Sequence, residues 1–190
     1  MSTWKQTRVK FKTKEHSTTK PLELIHTYIC GPMRTTTLNG ERYFLLFIDE
    51  FTRMTWLYFL KRKSEVFNCF RNFKEATENE IDLKIKCFRY DNGGEYISNE
   101  FNSYCDKHGI KRQFSVTETP QQNGVVERKN RTIMEMTRTM LNESILNDIF
   151  WPQVVHILNK GFLRRNTKKN SLSSMERKTC KHQTLQNLWN

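Results

Sequence analysis

The run RYFLLFIDEF, residues 42–51, constrains the fold more than any other stretch of the chain. From Tyr43 to Ile48 every residue is apolar, and most are aromatic or branched. Successive side chains of a strand point to opposite faces, so a strand made of this run is apolar on both sides. Such a strand is stable only where both faces are covered, as in the interior of a layered sheet.

The flanking segments fit that requirement. LELIHTYI, residues 22–29, alternates well enough for a preceding strand, closed by Gly31-Pro32. MTWLYFLK, residues 54–61, supplies a third strand close behind, which makes the first three a meander. Ser64 is placed to cap a helix carrying Phe67, Phe70 and Phe73 on one face, with Glu65 in its first turn. LKIKCFRYD, residues 83–91, reads as a fourth strand with Leu83, Ile85, Cys87 and Arg89 sharing a face. Asn99 suits the N-cap of a short helix with Phe101, Tyr104 and Cys105, and Gly109 suits its C-terminal end. IKRQFSV then gives a fifth strand, and TETPQQNG a polar loop. A long helix is expected from Val125 to about Asn142, with Val126, Ile133, Thr137 and Met140 inward, and another from Asp148 with Pro152 in its first turn. The order predicts an α/β domain: a five-stranded mixed sheet flanked by helices.

Charge divides the chain into three parts. Residues 1–20 carry +5 and residues 160–190 carry +7 of the net charge of +12, whereas the middle balances 18 basic against 18 acidic residues. We therefore divide it into a basic arm over 1–20, a folded core over 21–163 and a basic tail over 164–190, the arms being suited to a polyanion such as nucleic acid. Five scattered cysteines, with no Cys-x-x-Cys pair, point to a reducing compartment and no disulfide framework. No stretch is apolar enough for a signal peptide or a membrane span, so a soluble intracellular protein of nucleus or cytoplasm is expected. Trp56, Tyr58 and Phe59 read as core, and His26 and His156 as packed side chains.

Three blocks carry chemistry: HTYICGPM ahead of YFLLFIDEFTR, then DNGGEY, then TPQQNGVVERKNRTI. Together, in this order and spacing, they resemble the integrase core of Copia-type retrotransposons over roughly residues 5 to 160. The resemblance implies a ribonuclease-H-like fold, Mg²⁺ or Mn²⁺ as cofactor, DNA as partner, and association of the core into a homodimer. It implies that Asp91 and Glu127, with 35 residues between them, are catalytic and metal-binding acids. It also brings the loop of Gln121, Gln122 and Asn123 close to DNA.

The chemistry explains the residue types. Two Mg²⁺ ions about 3.5–4 Å apart stabilise the attacking and leaving oxygens of a phosphodiester transfer. Mg²⁺ prefers hard oxygen ligands, so carboxylates converging from separate elements hold it. Asp91 at a strand end and Glu127 in a first helical turn meet that need. Arg131 and Arg138 share the helix face of Glu127, with Arg128 and Lys129 beside them, which suits phosphate. Without the resemblance, Asp91 reads equally as a turn-former, and Glu127 as the i,i+4 mate of Arg131 and a helix-dipole partner.

In one respect the chain departs from the family. Where the family has its first acid, at the end of the first strand, this sequence has Tyr28. A phenol ionises near pH 10 (roughly), so it is neutral and bulky at neutral pH. Asp49 is the obvious substitute, but a hairpin of the first two strands puts it roughly 24 Å from the hairpin's turn. The resemblance implies a zinc-binding module before the core, of which residues 1–20 are expected to be a basic remnant, and the tail is expected to have lost the family's pattern. The expectation is a nucleic-acid-binding integrase-derived core with weak or incomplete metal binding and impaired strand transfer. A still-active polynucleotidyl transferase or endonuclease, and a non-functional fragment of a decayed element, are the alternatives.

Overall fold

The computed structural model describes residues 18–90, 93–114, 120–144 and 147–167, the side chains of 120–126 and 161–167 excepted. The residues 1–17 of the basic arm and 168–190 of the tail lie outside the described residues. Five strands form one sheet: β1 (Ile25–Cys30), β2 (Tyr43–Asp49), β3 (Thr55–Leu60), β4 (Cys87–Tyr90) and β5 (Lys111–Phe114). Their order is β3-β2-β1-β4-β5, antiparallel from β3 to β1 and parallel from β1 to β5. Helices α1 (Val66–Ile81), α2 (Asn99–Lys107), α3 (Pro120–Glu143) and α4 (Trp151–Thr167) complete the fold.

β2 is interior, and the apolar run is used on both faces as its composition demands. Leu45 and Phe47 join Phe70 and Phe73 of α1, Phe88 of β4 and Phe101 of α2 in one cluster. Phe44, Leu46 and Ile48 join Ile133 and Leu141 of α3 and Trp151, Val154 and Val155 of α4 in another. Each fully buried side chain of this size contributes about 1.5–3 kcal/mol of transfer free energy. Phe47 stacks on Phe73 at 4.3 Å between ring centroids, and Phe70 meets Phe88 at 4.4 Å. Trp56 is buried in the first cluster, while Tyr58 and Phe59 are half-buried, packed against the first and the second, so all three serve packing.

Local chemistry decided several ends differently from the sequence reading. Ser64 lies inside a short 3₁₀ turn, Lys63–Glu65, and no side chain caps α1. Ser98, not Asn99, caps α2: its Oγ accepts from the Phe101 N–H at 3.1 Å. Ser98→Ala is therefore expected to cost about 1 kcal/mol in urea denaturation, whereas Asn99→Ala should change stability by much less. In β4 the residues facing the first cluster are Phe88 and Tyr90, and Leu83 is exposed ahead of the strand. Gly31 has φ +133°, and a Cβ there would stand 2.6 Å from the Arg42 carbonyl, so the turn after β1 requires glycine.

The largest difference is in α3. The polar stretch expected as a loop over Gln121–Asn123 is helical backbone, because α3 begins at Pro120. Proline fits the first helical position, where its missing N–H has no partner to lose, and its fixed φ suits the helix. Glu127 consequently stands two turns into α3 and not in its first turn. α4 also continues past Leu163 to Thr167.

Candidate metal and nucleic-acid site

β1 and β4 are parallel neighbours, with His26 opposite Arg89. Their C-terminal ends therefore lie side by side. Tyr28 is two positions beyond His26, and β4 stops at Tyr90, one residue short of Asp91. Asp91 itself lies outside the described residues. Tyr28 is half-buried and packs against the cluster that α3 and α4 form on this face of the sheet.

α3 lies across β1 and turns Ile133, Thr137 and Leu141 inward. Asn130, one turn before Ile133, lies beside the thiol of Cys30, the last residue of β1. Burial pushes that thiol up to about 11, against the neighbouring Asn130 amide and the charge of Arg138. Glu127 stands one turn before Asn130, a rise of about 4.5 Å along the helix. The segment carrying Glu127 thus runs beside the end of β1 that carries Tyr28. Glu127 is exposed, and among the described residues no basic side chain forms an ion pair with it.

The corner after Asp91 has its own tether. A 3₁₀ turn, Gly94–Tyr96, follows it, and Tyr96 is fully buried. Its hydroxyl shares a buried hydrogen bond of 2.9 Å with Thr27 Oγ1 on β1. Neither contact was read from the sequence. The Tyr that closes DNGGEY was the available signal for the second, and nothing in the pattern of α3 marks Asn130 as inward-facing and polar.

Of the candidate nucleic-acid residues, Arg128, Arg131 and Arg138 are exposed along α3 and Lys129 is half-buried. The backbone of Gln121, Gln122 and Asn123 is in the first turns of the same helix, and their side chains lie outside the described residues. A single helix therefore carries all seven of these residues and Glu127. Among the described residues, no group of three or more His, Cys, Asp or Glu is placed to hold a metal ion. Glu127 is the one candidate ligand in that set, so the described residues alone do not make a metal centre.

Asp49 is at the other end of the sheet, opposite Ile25, whereas Tyr28 is opposite Leu46. It is 1% exposed and fully committed: it accepts from the Leu22 N–H at 2.9 Å, and from the Thr52 N–H and hydroxyl at 2.7 Å each. His26, also buried, is hydrogen-bonded through Nε2 to Glu50 at 2.8 Å, so it is a bonded side chain and not merely a packed one. His156 is half-buried, and burial pushes its imidazole below the ordinary range.

Residues 18–120 match the family model described as integrase core domain. The chain is 45% identical over 151 residues to the retrovirus-related Pol polyprotein from transposon TNT 1-94 of Nicotiana tabacum, covering 80% of this chain and 11% of the relative. It is 36% identical over 161 residues to the corresponding polyprotein from transposon RE2 of Arabidopsis thaliana, covering 82% and 11%. With the truncated transposon Ty1-A Gag-Pol polyprotein of Saccharomyces cerevisiae it shares 28% over 142 residues, covering 74% and 12%. The chain thus spans about a tenth of the length of these relatives. Among solved structures, a chain of the simian T-cell lymphotropic virus intasome in complex with the PP2A regulatory subunit B56 gamma matches with a TM-score of 0.57 and 17% identity, over 73% of this chain and 47% of that one. The HTLV-2 integrase catalytic core domain in complex with magnesium matches with a TM-score of 0.52 and 17% identity, over 73% and 84%. The sheet order and these likenesses give the ribonuclease-H-like fold that the sequence predicts.

Proposed function

The chain belongs to the integrase core domain family, and from that premise we propose that it is a retrotransposon integrase core that binds DNA and is impaired in metal-dependent strand transfer. The observation that carries this reading is Tyr28: a half-buried phenol packed against the apolar cluster beneath α3, at the position that the sequence resemblance assigns to the family's first acid. Asp91 and Glu127 remain as the two acids of the site, and Mg²⁺ or Mn²⁺ held by them would supply charge neutralisation at the scissile phosphate. A related core was solved with magnesium, which supports a divalent cation as the family's cofactor. Two carboxylates hold such an ion more weakly than three, because each withdrawn oxygen returns a ligand position to water.

DNA binding has separate support. Arg128, Arg131 and Arg138 line the exposed flank of α3, and cations there contact phosphate without regard to base sequence. The two basic arms add charge on either side of a balanced core. Asn130 on α3, beside Cys30 of β1, and Tyr96 after β4, hydrogen-bonded to Thr27 of β1, act in this reading as positioning residues for Glu127 and for the corner that follows Asp91.

The test is a pair of measurements on the native chain. Binding to a short labelled duplex should weaken steeply between about 50 and 200 mM salt. Strand transfer with Mn²⁺ should be at background, and Asp91→Asn should leave both results unchanged. Turnover that Asp91→Asn abolishes would establish a working enzyme instead, and binding insensitive to salt would remove the nucleic-acid reading. The full polyprotein relatives extend far beyond this chain, so partners and a homodimer through the core belong to the same proposal.

A further inference from the structure

A second basic surface stands at the same end of the sheet, on elements that the site above does not use. The loop from β1 to β2 and the end of β3 meet there: the Arg42 N–H donates to the Leu60 carbonyl at 2.9 Å, and Gly40 lies against the Lys61 stem. The loop is tied down along its length. Met33 and Thr37 donate backbone hydrogen bonds to the Arg42 and Glu41 carbonyls, Gly40 closes a turn onto Thr37, and the Trp151 indole N–H donates to the Thr35 carbonyl at 3.1 Å. At the apex of that turn Leu38 is 84% exposed.

The cations of this surface form no ion pairs, although the Glu65 carboxylate accepts from the Lys61 N–H at 3.0 Å. Arg34, Arg42 and Lys61 are exposed, and among the described residues none of them pairs with an acid. Glu41, the nearest acid in sequence, is engaged by the Thr37 hydroxyl. The adjoining Arg62 and Lys63 differ, since they face Glu65 at 3.6 Å and Glu95 at 3.7 Å. Three exposed cations on and beside a hydrogen-bonded turn, none of them in an ion pair among the described residues, favour a polyanion whose charges repeat along a backbone. The loop leaves the C-terminal end of β1, the strand end that carries Tyr28 and Cys30.

We propose that Arg34, Arg42 and Lys61, with Leu38 between them at the turn apex, form a second nucleic-acid contact surface, separate from the exposed face of α3. The cations take backbone phosphates, and Leu38 abuts a sugar or base. This inference rests on the reading that the chain binds nucleic acid, and extends it to a surface that neither the motif nor the basic arms indicate.

The test compares two charge-reversal pairs in the full chain by anisotropy on a short labelled duplex across a salt series. Arg42→Glu with Lys61→Glu should weaken binding at least tenfold and flatten the log–log salt dependence by about 1.8, because two phosphates are no longer neutralised. Lys107→Glu with Lys111→Glu, at the opposite end of the sheet, is the control for net charge and should leave the slope near native. The neutral pair Arg42→Gln with Lys61→Gln should flatten the slope equally, which guards against a folding defect in the reversed pair. Unchanged slope and affinity in both loop variants, or an equal loss in the control, overturns this surface while leaving DNA binding by α3 intact. A native chain with no salt-dependent binding overturns both, and tighter binding to anionic vesicles than to the duplex overturns the choice of nucleic acid.

Discussion

Replacing Tyr28 with aspartate should give a chain that melts below the native protein in chelator and recovers that stability, or more, when Mn²⁺ is added. The loss has a plain cause. The Tyr28 ring packs against the cluster formed by β2, α3 and α4, so its removal uncovers apolar surface, and the new carboxylate is partly desolvated. Together these should cost about 1–3 kcal/mol, the common range for a half-buried substitution. The gain comes from linkage, because an ion that binds only the folded chain stabilises it by about 2.7 kcal/mol at a hundredfold excess over its dissociation constant. For a chain of this size each kcal/mol moves the melting temperature by about 2–4 °C. A metal-dependent rise of roughly 5–10 °C is therefore expected in Tyr28→Asp, against little change in the native chain. Calorimetric titration with Mn²⁺ and thermal melts with and without chelator read the same effect independently. Identical metal-induced shifts in the two proteins would show that residue 28 does not govern the site. No shift in either would show that Asp91 and Glu127 do not hold an ion even with an aspartate restored beside them.

The parts of the fold that were legible in the sequence are those where burial alone decides. Tyr43 to Ile48 announced a strand covered on both faces, and Phe70 and Phe73 announced the inward face of α1, because no other placement removes so much apolar surface from water. The parts that were not legible turn on a choice between near-equal local partners. Ser98 and Asn99 are both good caps, and the chain uses the one whose extended backbone points its oxygen at the Phe101 N–H. The polar TETPQQNG stretch has the composition of a loop, yet Pro120 and the glutamines also start a helix, and the packing of Ile133, Thr137 and Leu141 onto the sheet rewards extending it. In the same way, polar contacts across the chain, such as Thr27 with Tyr96 and Asn130 with Cys30, leave no periodic trace, since each needs only one residue on each element. The surface around Leu38 escaped for a further reason. Lys61, Arg62 and Lys63 are equivalent as sequence, and only the structure separates the unpaired first from the two that meet Glu65 and Glu95.

Asp49→Ala is expected to be the most damaging change to any acid of the chain outside the candidate site, at about 3 kcal/mol or more, with no effect on metal or DNA binding per folded molecule. Its carboxylate accepts three hydrogen bonds while almost wholly buried, and hydrogen bonds to a charged group contribute about 1.5–3 kcal/mol each before the cost of burying the charge is subtracted. Truncation orphans the Leu22 and Thr52 N–H groups that hold the entry to β1 against the turn after β2. Asp49→Asn keeps one carbonyl acceptor and should lose less. The two differ further in their pH dependence. Burial holds the Asp49 carboxyl above the ordinary range, against the hydrogen bonds from Thr52 and Leu22 that pull it down. A raised folded value means the native state binds the proton more tightly than the unfolded chain, so this term stabilises fully below the unfolded value and is lost as pH rises through the folded one. Asparagine has no such term, so the deficit of Asp49→Asn relative to the native chain should widen as the pH is lowered from neutrality, in urea titrations of both proteins. A deficit that narrowed on acidification would mean the ionised carboxylate is the form the fold prefers. The position of Asp49 would still exclude it from the strand end that carries Tyr28, because the pairing of β1 with β2 sets Asp49 opposite Ile25 and Leu46 opposite Tyr28.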